Sequence, residues 1–588
     1  MLRPTAAHLL LPVLAAVIIV SILQPVRCAD DQESFAISLS DDEFRAKYGP
    51  PNIKPVDWGG FGQNTGNILG NIISESVDQF TDLANIRETL DQIISTDIKP
   101  FGLMGSGQNT GDILGDIISK WTDQLDPELI DLPSIRETWD QIISSASNSS
   151  EYVNLNARLE FAPYALSDHS NDHLIRASPQ ELIAAAGFQS ETHEVLSSDG
   201  YVTQVTRIIN PLADQSKLKQ PPIAMYHGAI SDPSIYIMSS TVQHHPEKWP
   251  RDVDVDGPIT SWNRSLGFVL ANNGYDVWLV ALRGCNRANQ RFVYDNRTIY
   301  KPYSLYKPNV TPSDVAIALK YWNYTIQEIA VNEVPRQLDR IMELTGSPKI
   351  SIVGVSLGSS VTLAMLAELP EYSEKIYNYV YLQPPLSEYN SNEVLKLGYR
   401  LLDSLDYTIG TLLVSETLFT PQIRELIYAA SKSVFSRYTG IKYSYDVLVG
   451  PSAFFNSLIE ANVLAHLFGG ISFKQYKHLA QIVSSNTFKK FDYGPAENLV
   501  RYGSPDAPEY DLSRVNPGEH WFIISGENDP FATREDVDSV IRRVGKGLYK
   551  FLYNSGNNHI DAGIAVDVDI KYILPTLEFF EQFPYEAK

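Results

Sequence analysis

The chain has 588 residues, 44% hydrophobic and 20% charged, proportions that fit a globular protein and exclude a disordered, collagen-like or multi-span membrane chain. Its 47 basic residues against 70 acidic ones leave a formal net charge of −23, which argues against nucleic acid as a partner because a phosphate backbone would be repelled. Only Cys28 and Cys285 carry thiols, so neither a disulfide framework nor a zinc site built on several thiolates is expected.

Arg3, the apolar stretch from Ala6 to Leu23, then Pro25 and Val26-Arg27-Cys28 predict a secretory signal over residues 1–28, cleaved after Cys28 or Ala29. Pro12 and His8 speak against the same stretch as a stable bilayer helix. Sequons at Asn148, Asn263, Asn296, Asn309 and Asn323 are candidate glycosylation sites and agree with passage through a secretory pathway. The expected destination is outside the cell or in an acidic organelle.

Residues 29–174 form an N-terminal extension that contains a tandem duplication, 62–96 and 107–145. GQNTGNILGNIISESVDQFTD returns as GQNTGDILGDIISKWTDQLD, and IRETLDQIIS as IRETWDQIIS. Two copies are too few for a solenoid. Ile113, Leu114, Ile117, Ile118, Trp121 and Leu125 share one helical stripe, which predicts packing on its twin or on the main domain, or a weakly ordered propeptide. Docking to a lipid surface or a partner is the alternative. Asp112, Asp116 and Asp123 on the polar side argue against an anionic membrane.

From about Pro179 onward, β-branched and aromatic runs alternate with amphipathic stretches. Strands are predicted at Pro222–Gly228, Tyr275–Leu282, Lys349–Val355, Lys375–Leu382, His520–Ser525 and Tyr549–Asn554. That order implies an α/β fold, a mostly parallel central sheet with helices on both faces. The core is assigned to 175–386 and 516–588. Residues 387–515 are longer than a crossover needs and are read as an inserted, mainly helical cap over the carboxyl edge of the sheet.

Gly354-Val355-Ser356-Leu357-Gly358 follows a buried-strand pattern and precedes a helical one, the setting of a nucleophile elbow. A serine hydroxyl needs a base in hydrogen-bond reach and a carboxylate to orient that base. In this fold the order along the chain is serine, acid, histidine. His559, in a loop directly after the last predicted strand, is the expected base; His466 and His478 fall in the cap and His520 begins a strand. Asp529, in the loop after the strand ending at Ser525, is the expected acid, with Glu527 and Asp561 as competitors. The oxyanion donors are expected to be the backbone N–H groups of Leu357 and of Ala229, the latter in the loop after Pro222–Gly228. His227 is read as fixing that loop by hydrogen bonding. No metal and no cofactor is required.

At these residues the chain resembles the acid lipases, the family of gastric triacylglycerol lipase and lysosomal acid lipase. The resemblance runs from about Ser178 to Phe583, through SPQELIAAAGFQSETHEVLSSDGYVTQVTRI, the HGA at His227, GYDVWLVALRG at Gly274, the elbow, FKKFDYGPAENLVRYGSPDAPEYDLSRV, GENDPFATREDVD and HIDAGIAVD. It implies the α/β-hydrolase fold, Ser356, Asp529 and His559 as a triad, main-chain oxyanion donors at Leu357 and Ala229, and a lid within the cap that opens at a lipid surface. It also implies a lysosomal or extracellular location. Val355 and Leu357 stand where the family usually has His and Gln, a long segment spans His244 to Asp256, and the cap disulfide common in relatives cannot form. The function implied is hydrolysis of carboxylic esters of neutral lipids at a lipid–water interface, with peripheral contact to lipid droplets or membranes and protein partners left open. The alternatives are an esterase for smaller soluble esters and a catalytically weak lipid-binding or storage protein on the same fold.

Overall fold

The computed structural model describes residues 177–238, 265–285, 290–294, 297–300, 312–387, 391, 393–404, 407–418, 449–452, 469–518, 520–565 and 567–585. The signal segment, the duplicated extension, Asn148, Asn263, Asn296, Asn309, His466 and the His244–Asp256 segment lie outside them.

Among the described residues ten strands build one sheet: β1 (Gln189–Leu196), β2 (Tyr201–Ile209), β3 (Lys219–Tyr226), β4 (Tyr275–Ala281), β5 (Arg291–Tyr294), β6 (Arg297–Tyr300), β7 (Ile350–Val355), β8 (Ile376–Leu382), β9 (Trp521–Gly526) and β10 (Leu548–Asn554). Their spatial order is β10-β9-β8-β7-β3-β4-β2-β5-β6, with β1 paired to β2. Neighbours from β10 to β4 run parallel, whereas β1, β2, β5 and β6 pair antiparallel at the other end. The six strands read from the sequence are all present, with ends displaced by a few residues. The hairpin β5–β6 was not expected, although RFVY and RTIY are two β-forming runs separated only by Asp295-Asn296.

Helices cover both faces: α1 (Pro179–Ala185), α2 (Leu266–Asn272), α3 (Pro312–Tyr321), α4 (Val334–Thr345), α5 (Leu357–Glu368), α6 (Glu393–Ser404), α7 (Phe473–Ser485), α8 (Pro495–Tyr502), α9 (Arg534–Val544) and α10 (Leu574–Gln582). Local chemistry sets their ends. Ser178 and Glu181 form a reciprocal capping box before α1, Thr533 accepts from the Asp536 N–H to open α9, and Gly346 stops α4 in the left-handed conformation.

The period-2 alternation of the strands divides the core into two layers. Tyr226, Trp278, Ile352, Tyr381 and Ile523 face one layer, with Leu338 of α4, Val361 of α5 and Val537 of α9. Met225, Leu279, Val353, Val380 and Ile524 face the other, with Phe268 of α2 and Phe579 of α10. A strand buried on both faces has no polar side to show, which is why β3, β4, β7, β8 and β9 read as continuous apolar runs. Within 387–515, α6 packs on α7 around Tyr399, Ala480 and Val483.

Candidate active site

Parallel strands deliver their carboxyl ends to one edge, so the loops after β3, β7, β8, β9 and β10 meet there. Ser356 follows β7 directly and precedes α5; its φ of 52° is left-handed, a conformation that a serine rarely adopts. The two glycines around it are sterically required. A Cβ on Gly358 would lie 2.2 Å from the Tyr226 carbonyl oxygen, and one on Gly354 would lie 2.8 Å from the Ser359 nitrogen. The Ser356 N–H donates to the Leu382 carbonyl at 2.9 Å, anchoring the turn to the end of β8.

His559 lies in the loop after β10. Its Nε2 is 2.8 Å from Ser356 Oγ, and its Nδ1 is 2.9 and 2.8 Å from the two carboxylate oxygens of Asp529. The acceptor at Nδ1 is a carboxylate, so the proton of a neutral imidazole resides there and Nε2 is left to accept from the serine hydroxyl. Asp529 is held in turn: its Oδ1 accepts from the N–H groups of Phe531 and Ala532 at 2.8 and 2.9 Å. The Asp529 side chain is buried and that of His559 keeps 11% exposure.

The competing acids are engaged elsewhere. Glu527 is exposed and accepts from the Ser555 hydroxyl and the Gly556 N–H. Asp561 is buried and takes the Ser452 hydroxyl at 2.7 Å and the Asn558 N–H at 2.8 Å; burial raises its carboxyl to about 6. The other histidines are also accounted for. His520 bonds to the Tyr377 carbonyl at the amino end of the sheet, and His478, buried inside 387–515, bonds to the Lys489 carbonyl.

The loop after β3 approaches the serine so closely that a Cβ on Gly228 would be 3.1 Å from Ser356 Cβ. His227 fixes this loop. It accepts from the Leu282 N–H at Nε2, 3.0 Å, and donates from Nδ1 to the Gly228 carbonyl, 2.8 Å; burial lowers its pKa, which keeps the ring neutral. Among the described residues, neither the Ala229 nor the Leu357 N–H has a backbone acceptor. Of the sequons, Asn323 is described. It is exposed, and its side-chain oxygen accepts from Lys474.

A family model described as "Partial alpha/beta-hydrolase lipase region" matches residues 179–240. Gastric triacylglycerol lipase of Bos taurus is 27% identical over 408 residues, covering 66% of this chain and 87% of that protein. Lipase 1 of Drosophila melanogaster is 26% identical over 394 residues, covering 66% and 76%, and Lipase member N of Homo sapiens is 24% identical over 387 residues, covering 65% and 85%. The chain is similar to gastric and lysosomal acid lipases, and it has the α/β-hydrolase fold.

Several residues beside this candidate site carry no sequence signal. Phe531 lays its ring 4.7 Å from that of His559. Residues 449–452 strap the histidine and acid loops: the Val449 carbonyl accepts from the His559 N–H at 3.0 Å, that of Gly450 from Asn558 Nδ2 at 2.7 Å and that of Pro451 from Asn528 Nδ2 at 2.9 Å. Ile230, left-handed at φ 48°, accepts at its carbonyl from the Gly469 N–H at 2.7 Å. The stretch 387–515 therefore touches the site through backbone contacts that no motif encodes.

Proposed function

We propose that this chain is a serine hydrolase that cleaves carboxylic esters of neutral lipids, a triacylglycerol or cholesteryl ester lipase. One observation carries the reading: His559 bonds to Ser356 Oγ through one nitrogen and to Asp529 through the other. In the reaction, Ser356 Oγ attacks the ester carbonyl carbon while His559 Nε2 takes its proton, and Asp529 stabilises the imidazolium. The Leu357 and Ala229 N–H groups receive the developing oxyanion. His559 then protonates the departing alkoxide, and a water molecule, deprotonated by the same nitrogen, releases the acid from the acyl-enzyme.

The lipid assignment draws on the relatives, which are named as lipases. Residues 387–515 act as a cap whose strap at 449–452 couples the substrate entrance to the histidine loop. The signal segment and the sequons support a secreted or lysosomal enzyme that meets lipid droplets or membranes peripherally.

Fatty-acid release from emulsified long-chain triacylglycerol and cholesteryl ester, beside a soluble short-chain ester, tests the reading with Ser356→Ala as control. Release from the emulsions that disappears in the variant is expected. Activity on the soluble ester alone would make the enzyme an esterase, and serine-independent release would overturn the proposal.

A further inference from the structure

Gln383 lies directly after β8 and is fully buried, with a left-handed φ of 52°. Among the described residues, the non-glycine positions with positive φ are Ile230, Ser356, Gln383 and Asn486. Asn486 closes the helix α7, where an αL residue is ordinary. The other three stand at the carboxyl edge of the sheet, and a strained residue that the surroundings over-determine is a pointer to function.

The carboxamide of Gln383 is committed at both ends. Its Oε1 accepts from the Gly526 N–H at 2.8 Å, where β9 gives way to the Asp529 loop. Its Nε2 donates to the carbonyl of Asn558 at 2.6 Å, one residue before His559, and reaches the Tyr572 hydroxyl at 3.0 Å. The orientation of the amide is dictated by its partners: a backbone N–H faces one end and a backbone carbonyl the other, so oxygen and nitrogen cannot exchange. On the main chain, the Gln383 N–H donates to Ile524 at 2.8 Å and the preceding Leu382 carbonyl holds the Ser356 N–H at 2.9 Å. Gln383 thus ties the acid loop to the histidine loop, directly beside the Leu382 carbonyl that holds the nucleophile turn. Nothing in its amide is left over for substrate.

We infer that Gln383 is the positioning residue of the active site, fixing the His559 loop against the Asp529 loop at the distance Ser356 requires. This rests on the serine-hydrolase reading above. Because the role needs a donor at Nε2 and an acceptor at Oε1, the two polar ends can be tested separately. In Gln383→Leu both are lost, and a misplacement of the base of about 1 Å is expected to lower kcat about 100-fold while KM changes little. In Gln383→Glu the carboxylate cannot donate to the Asn558 carbonyl, whereas the protonated acid can, with its other oxygen still accepting from Gly526. The ratio of variant to native kcat is therefore expected to rise as pH falls, returning to within a few-fold of native once the introduced acid is neutral.

The experiment is a pH profile of kcat and KM for native protein, Gln383→Leu and Gln383→Glu, normalised to folded protein by circular dichroism. A kcat loss in the leucine variant with acid recovery in the glutamate variant supports the inference; if the leucine variant does not fold, the recovery alone decides. A flat glutamate-to-native ratio, or a leucine variant with native kcat, overturns it. Native protein that neither hydrolyses esters nor labels with a fluorophosphonate would instead overturn the hydrolase reading, a separate failure visible before any variant is made.

Discussion

Strand β9 joins two histidine environments that differ in everything except residue type. At its amino end, His520 bonds to the Tyr377 carbonyl at 3.0 Å and packs against the rings of Tyr377 and Phe583, with centroids 4.6 and 4.5 Å away. At the carboxyl edge, His559 has a hydroxyl on one nitrogen and a carboxylate on the other. The first histidine is a packing element with a satisfied polar tip. The second carries on its two nitrogens the partners that the proposed proton transfer requires. Backbone strain follows the same division, since Ile230, Ser356 and Gln383 all lie at the carboxyl edge. Changes at that edge should therefore cost rate, and changes at the amino end should cost stability.

The largest effect is expected from the serine and its base. Ser356→Ala or His559→Ala should lower kcat by about 10⁶-fold with little change in thermal midpoint, read from ester hydrolysis and a melting curve on the same samples. Asp529→Asn should come next, at about 10⁴-fold in kcat, because the amide can present its N–H to Nδ1 and favour the wrong tautomer. Gly358→Ala acts on shape instead of charge. Its methyl would press on the Tyr226 carbonyl, and a loss of about 3 kcal/mol in denaturant unfolding is expected. At the other end of the sheet, His520→Ala should lose about 1–2 kcal/mol through its aromatic and hydrogen-bond contacts and leave kcat per folded molecule unchanged. A rate loss there as large as at the carboxyl edge would break the contrast.

The most delicate effect is a pH dependence inside 387–515. His478 is buried, bonds through Nε2 to the Lys489 carbonyl and has no partner at Nδ1 among the described residues, and burial lowers its pKa to about 4. A lowered value means that the folded state resists a proton the unfolded chain would accept near 6.5. The stability this histidine contributes is complete above about 6.5 and is lost as pH falls towards 4, about 2 kcal/mol at pH 5. His478→Gln does not titrate, so its unfolding free energy should fall less than that of the native protein between pH 7 and pH 5.

Legibility from sequence tracked the physics of each region. Buried parallel strands declare themselves as apolar runs, and the elbow glycines sit where a Cβ would strike backbone, so β7, Ser356, Asp529 and His559 stand out by type and order. The hairpin β5–β6 escaped because its four-residue strands offer little alternation to read. The His227 reading rested on chain order and matches its two backbone partners. Gln383 and the strap at 449–452 left no trace in the sequence: the strap acts through its own carbonyls and Gln383 holds two loops by their backbone atoms, and every residue possesses such groups.

The most direct test of the central claim is labelling by a fluorophosphonate, followed by peptide mapping. The account predicts one modified residue, Ser356, with labelling slowed at least about 100-fold in His559→Ala. Equal labelling rates in the two proteins, or no label at Ser356, would contradict it.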